Sequence, residues 1–197
     1  MPGLIVLVRH GETEWSRSGQ HTGRTDLPLT EKGRSDAARL SPHLAGRSFG
    51  LVLISPLGRA QETARLAGLT GETDPDLLEW DYGAYEGRRT ADIRAELGDP
   101  QWTIWRDPIP PGDTPGEQPE QVAQRARRVL DRALTVIASD QDVALVAHGH
   151  LLRILTATWL DLPAVDGRLF ALDAGGLSAL GFEHEQHVIS HWNARSL

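Results

Sequence analysis

Arg9-His10-Gly11-Glu12 stands at the end of the apolar run 4–8 (LIVLV), and Ala147-His148-Gly149-His150 at the end of the run 143–146 (VALV). In an open α/β sheet, ligands bind beyond the carboxyl ends of the strands. A histidine at such an exit meets its ligand from a rigid base, and glycine beside it lets a bulky anion approach the backbone. Arg9 adds planar donors that match phosphate oxygens. One tripeptide of this kind is read equally well as a turn carrying a solvated Arg-His pair. Two of them, on strands of one parallel sheet, converge on a single crevice.

Other groups can join them. Ser55-Pro56-Leu57-Gly58-Arg59-Ala60 follows the run 51–54 (LVLI) and places Arg59 in the first turn of a helix on the same rim. Helix N-termini favour anions, and Arg59 adds a full charge. The segment 79–87 (EWDYGAYEG) alternates acidic, aromatic and glycine residues, and loops of this kind commonly carry binding or catalytic groups. Glu79, Asp81 and Glu86 each offer a carboxyl for proton transfer, and spacing does not choose among them. In 16–23 (SRSGQHTG), hydroxyls, glycines and amides can line an anion as a nest, although turn chemistry explains most of these residues. No metal site is expected. There is no cysteine and no aspartate pair at obvious ligand spacing. His148 and His150, two apart at a strand exit, point to different sides.

The elements that must hold these groups follow from periodicity. The three apolar runs read as strands buried on both faces. A helical pattern follows each: from Thr30 as N-cap to about Leu44, from Pro56 to about Leu66, and from His150 to Leu160. Residues 117–138 form the longest one. Alternating strands and helices imply a largely parallel sheet with helices on both faces. Segments 169–172, 177–182 and 188–192 read as further strands, forming an antiparallel edge. The proline-rich stretch 107–115 (DPIPPGDTP) reads as an ordered loop within a single domain covering 1–197. The net charge of −7 argues against nucleic acid or an anionic membrane as partner, and no apolar run reaches the length of a span. The absence of cysteine rules out disulfides and thiolate chemistry and fits a cytoplasmic protein. The opening MPGLIVLV reads as a buried strand and not as a signal peptide.

Taken together and in order, these motifs resemble the histidine phosphatase superfamily, the phosphoglycerate mutase-like group. The match runs from Leu4 to about Leu160 and includes Arg9-His10-Gly11-Glu12-Thr13, Thr22-Gly23, Leu29-Thr30-Glu31-Lys32-Gly33, Ser55-Pro56 with Arg59, Glu79 with Tyr82-Gly83 and Glu86-Gly87, and Ala147-His148-Gly149. Thr13-Glu14-Trp15-Ser16-Arg17-Ser18-Gly19-Gln20, 79–87 and Trp102-Thr103-Ile104-Trp105-Arg106-Asp107 are similar to a small phosphatase branch that includes fungal sedoheptulose-bisphosphatase and bacterial acid phosphatases. The resemblance implies a three-layer α/β/α sandwich. It implies that His10 is phosphorylated transiently, that Arg9, Arg59 and His148 bind the transferring group, and that Glu79 gives and takes the proton. Ser16, Thr22, Gly23, Tyr82 and Gly149 would line the pocket. Two departures bear on substrate contacts: Ser16 stands where many relatives carry asparagine, and Gln118 replaces the usual serine or threonine.

The chemistry is consistent with those roles. A neutral imidazole attacks phosphorus in line, provided its other nitrogen is held by a carbonyl. Two arginines and a protonated His148 neutralise the equatorial oxygens without a metal or other cofactor. The expected activity is hydrolysis of small phosphate monoesters, sugar phosphates or phosphorylated acids. A mutase with the same nucleophile is the alternative, disfavoured because 88–116 leaves little chain for a covering lid. A non-catalytic phospho-ligand module is the remote alternative, since it needs no His10–Glu79 pair. His21, Arg24, Tyr85, Arg88, Arg106 and His150 are candidate selectivity residues, with Trp80, Trp102 and Trp105 as pocket walls or core. Homo-oligomerisation is left open.

Overall fold

The apolar runs are strands, and their period-two alternation explains why each is apolar throughout. A computed structural model describes residues 3–194. Strands β1 (Ile5–Arg9), β2 (Phe49–Ile54), β3 (Glu72–Thr73), β4 (Asp142–Ala147), β5 (Leu177–Glu183) and β6 (Gln186–Ala194) form one sheet. Their order is β3-β2-β4-β1-β5-β6. The first four are parallel, and β5 and β6 add an antiparallel edge beside β1. Ile5 and Leu7 enter one core with Val143 and Leu145; Val6 and Val8 enter the other with Ala144 and Val146. Each buried aliphatic side chain contributes about 1.5–3 kcal/mol, so a strand with two apolar faces is held from both sides.

Helices α2 (Glu31–Leu44) and α3 (Gly58–Leu66) cover one face through Leu40, Leu44, Ala60 and Ala64. The other face is covered by α5 (Pro119–Ile137) and α6 (Gly149–Trp159), with Val122, Ala126, Val129, Leu130 and Ala133 giving α5 its apolar stripe. The result is the expected three-layer α/β/α arrangement. Thr30 caps α2 as expected, its hydroxyl accepting from Gly33 N at 3.0 Å. Two short helices were not anticipated, α1 (Glu14–Ser18) and α4 (Thr90–Leu97). The expected strand at 169–172 is absent. Residues Ala164–Leu169 form a 3-10 helix instead, and Leu169 is 64% exposed. There the Trp192 indole donates to Ala171 O, and Gly175 and Gly176 bond the backbone of His10 and Arg9, so side chains and a turn take the place of a ladder.

Register brings the motifs together. Arg9 pairs with Ala147 and Ile54 with Val146, so β1, β4 and β2 end flush. His10 N donates to Ala147 O, and Ser55 N to Val146 O, both at 2.9 Å.

Candidate active site

His10 is buried, 4% exposed, and its Nδ1 lies 2.7 Å from the carbonyl of Gly11. A carbonyl only accepts, so Nδ1 carries the proton and Nε2 is left unprotonated. Burial, then the charges of Arg59 and Arg9, push the imidazole well below its usual pKa. The turn that supplies this carbonyl is tight on purpose: a Cβ on Gly11 would stand 2.4 Å from Gly33 O, in the first turn of α2. The expectation of a carbonyl behind the His10 ring is met.

His148 follows β4 as the N-cap of α6, and its ring centroid is 5.1 Å from that of His10. Arg59 Nε donates to His148 Nδ1 at 3.2 Å, and His148 Nε2 lies 2.7 Å from Ser55 Oγ. An arginine only donates, so His148 Nδ1 is an acceptor and the proton sits on Nε2. The expected protonated His148 is therefore corrected: the ring is neutral, because burial and the Arg59 charge both oppose a second proton. Arg59 is also buried and gives its remaining donors to the carbonyls of Thr25, Thr22 and Gly23. Both side chains sit directly behind the cavity, not in its wall.

The cavity itself has about 90 Å³ of space and is lined by Arg9, His10, Ser16, Gln20, His21, Thr22, Glu79, Tyr82, Gly149, His150, Arg153 and Leu172. Arg9 donates to Leu172 O, while its buried Nε has no hydrogen-bond partner. Gly149 makes room for it, since a Cβ there would lie 3.1 Å from the Arg9 guanidinium. Among the three carboxyls left open by spacing, Glu79 reaches this cavity. Its Oε1 accepts from Trp80 N at 2.9 Å and Leu151 N at 2.8 Å, and its Oε2 from His150 N at 3.0 Å. The carboxyl thus satisfies the first turn of α6, and Oε2, which accepts one bond where Oε1 accepts two, has a lone pair to spare. Asp81 instead bonds Thr114 and Gly83 N, and Glu86 bonds Gly23 N and Thr25 N.

Of the expected lining residues, Ser16, Thr22, Tyr82 and Gly149 are in the wall; Gly23 is set back by its bonds to Glu86 and Arg59. The Ser16 hydroxyl is committed to a capping box with Thr13. Of the selectivity candidates, His21 and His150 line the cavity. Burial lowers both, His21 to about 4, and Tyr82 Oη lies 2.6 Å from His150 Nδ1. Arg88 and Arg106 are tied to Glu96 and to Asp99 and Asp107 at the surface, Tyr85 is in the core against Trp102, and Arg24 pairs with Glu117. Trp80 and Trp102 are core residues, and Trp105 packs on His150 under the Arg153 cation. His148 and His150 do face different neighbours. Sequence reasoning held Gln20 only as part of 16–23, and missed Arg153, Leu172 and the role of Ser55. Arg153 was within reach: it is four residues after Gly149, on the same face of a helix that begins at the site.

Among the described residues, no group of three or more His, Asp and Glu side chains is placed to hold a metal ion, and no helix is long and apolar enough to cross a membrane. An unprotonated imidazole with a fixed tautomer, a second imidazole, two guanidinium groups and one carboxyl at the ends of parallel strands define a phosphoryl-transfer site built on histidine. The family model described as the histidine phosphatase superfamily (branch 1) matches residues 5–195, and the chain belongs to that family, which works through a phosphohistidine. It is 40% identical over 188 residues to an acid phosphatase of Mycobacterium tuberculosis, covering 91% of this chain and 87% of that one. It is 32% identical to the sedoheptulose 1,7-bisphosphatase of Saccharomyces cerevisiae, covering 93% and 90%. A solved structure from a Mycobacterium tuberculosis open reading frame superposes with a TM-score of 0.90 at 37% identity, covering 97% of each chain.

Proposed function

We propose that this protein hydrolyses small phosphate monoesters, sugar phosphates among them, by way of phosphohistidine at His10, with no metal or cofactor in the reaction. His10 Nε2 attacks phosphorus in line as the bond to the leaving oxygen breaks. Arg9 takes the transferring oxygens, and the charge of Arg59, bonded to His148 directly behind the cavity, adds to the positive field of the site. Glu79 gives its proton to the leaving alkoxide through Oε2. It then takes a proton from water, which attacks the phosphohistidine and releases phosphate. Ser16, Thr22, Tyr82 and Gly149 bound the substrate, and the partner is a small phosphorylated metabolite. The lack of cysteine is in keeping with action in the cytoplasm.

The observation that carries this reading is the Nδ1–carbonyl bond at 2.7 Å, which leaves His10 Nε2 free to attack. Incubation with a ³²P-labelled ester followed by a base quench should trap one labelled phosphohistidine per chain. His10→Ala should lose both label and turnover, and EDTA should change neither. Turnover in His10→Ala would end the proposal. Isomerisation of a phosphoglycerate without phosphate release would replace hydrolysis by mutase chemistry on the same nucleophile.

A further inference from the structure

Arg125 on α5 is buried, 6% exposed, and lies outside the cavity wall. A guanidinium has five N–H donors, and here all five are used on two targets. Nε and Nη2 hold the Glu117 carboxylate at 2.9 and 3.1 Å. Nη1 donates to Asp76 O and Leu78 O, and Nη2 also donates to Glu79 O at 3.1 Å. Glu117 completes the frame. Its Oε2 accepts from Asp81 N at 3.0 Å, its own N–H donates to Asp81 O at 2.9 Å, and its carbonyl accepts from the Trp80 indole at 2.7 Å. The backbone around Glu79 has no sheet ladder there, so these bonds fix it from below while the first turn of α6 holds the carboxyl from above. The segment 107–115 belongs to the same frame. Gln118 pins Ile109 through both its amide atoms, and Pro110 O takes the N–H of Ala84.

A buried ion pair is poor evidence for stability, because desolvation offsets most of its attraction. What this pair does well is geometric: one rigid fork collects three carbonyls of a single short loop. We infer that Arg125, braced by Glu117, is a positioning residue for proton transfer at Glu79. The inference rests on the proposed role of Glu79 as the group that protonates the leaving oxygen. With Arg125 altered, Glu79 keeps its carboxyl but loses its alignment, so only steps that need its proton slow down.

The test compares kcat/KM on two esters. An alkyl phosphate such as glycerol phosphate needs a proton on its leaving oxygen; nitrophenyl phosphate does not, because nitrophenolate leaves unprotonated. Since kcat/KM stops at the first irreversible step, it reports phosphorylation of His10 alone. Arg125→Lys retains a cation opposite Glu117 but has only three donors for five acceptors. It should lose about 10- to 100-fold on the alkyl ester and less than about threefold on nitrophenyl phosphate, with inhibition by inorganic phosphate unchanged. Glu117→Gln should show the same split more mildly, and it provides the reading if Arg125→Lys loses its cooperative melt. Glu79→Gln is the reference. If it splits the two esters and the Arg125 and Glu117 variants lower both equally, or neither, the positioning role is wrong. If Glu79→Gln itself shows no split, the failure lies with the proton-donor assignment, and the inference falls with it.

Discussion

Substituting Gly11 by alanine tests the central geometric claim with one methyl group. The new Cβ would stand 2.4 Å from Gly33 O, 2.9 Å from Gly33 C and 3.1 Å from Gly33 Cα. All three are backbone atoms of α2, anchored by the Thr30 cap, so no rotamer change can relieve the clash. Ordinary contact begins near 3.4 Å, so loop and helix must part by about 1 Å. On its other side, Gly11 N is tied to Thr63 Oγ1 at 3.1 Å, which directs the strain into the peptide that carries the Gly11 carbonyl. A shift of that size breaks the 2.7 Å bond to His10 Nδ1 and frees the imidazole to turn or change tautomer. Misplacement by about 1 Å costs on the order of 10²-fold in rate. Overpacking costs about 1–3 kcal/mol, or roughly 2–4 °C of Tm per kcal/mol at this size. The assay is kcat/KM on nitrophenyl phosphate together with base-stable ³²P label on His10, alongside thermal unfolding. Wild-type rate and labelling in a variant whose Tm has fallen would refute the argument, since the loop would then have moved without disturbing the nucleophile.

Two further outcomes follow from the buried imidazoles. His10, His21, His148 and His150 are all held below the usual histidine pKa by burial. The folded state therefore binds fewer protons than the unfolded chain below about pH 6.5, and their contribution to stability is present above that pH and lost as pH falls. For His21 the window closes near pH 4, so Tm of His21→Gln should fall less between pH 7 and 4 than that of the wild type; parallel curves would contradict this. Ser55→Ala strands the Nε2 proton of a fully buried His148, which should cost about 1–3 kcal/mol in urea unfolding, and an unchanged midpoint would mean that the ring has found another partner.

The parts of the fold that could be read were those with strong local signals. Apolar runs of four or five residues, the Thr30 cap and the apolar stripe of 117–138 act within a few residues, and all three appear as expected. The failures share a cause. Residues 169–172 are apolar enough for a strand but are bonded by an indole and lie next to a turn, contacts made by β6 and by β1, more than a dozen residues away. The charge on His148 could not be read because it depends on Arg59, 89 residues earlier in the chain.

The amino-acid order alone determined which side chains could do chemistry and that His10 and His148 would each stand at a strand exit, because strand, histidine and glycine are neighbours in the chain. Only the folded arrangement decided that, of the three carboxyls spacing leaves open, Glu79 lines the cavity with His10, and which nitrogen of each ring carries its proton. Those choices belong to register and to hydrogen bonds between distant segments. A periodic pattern of residue types holds no record of either.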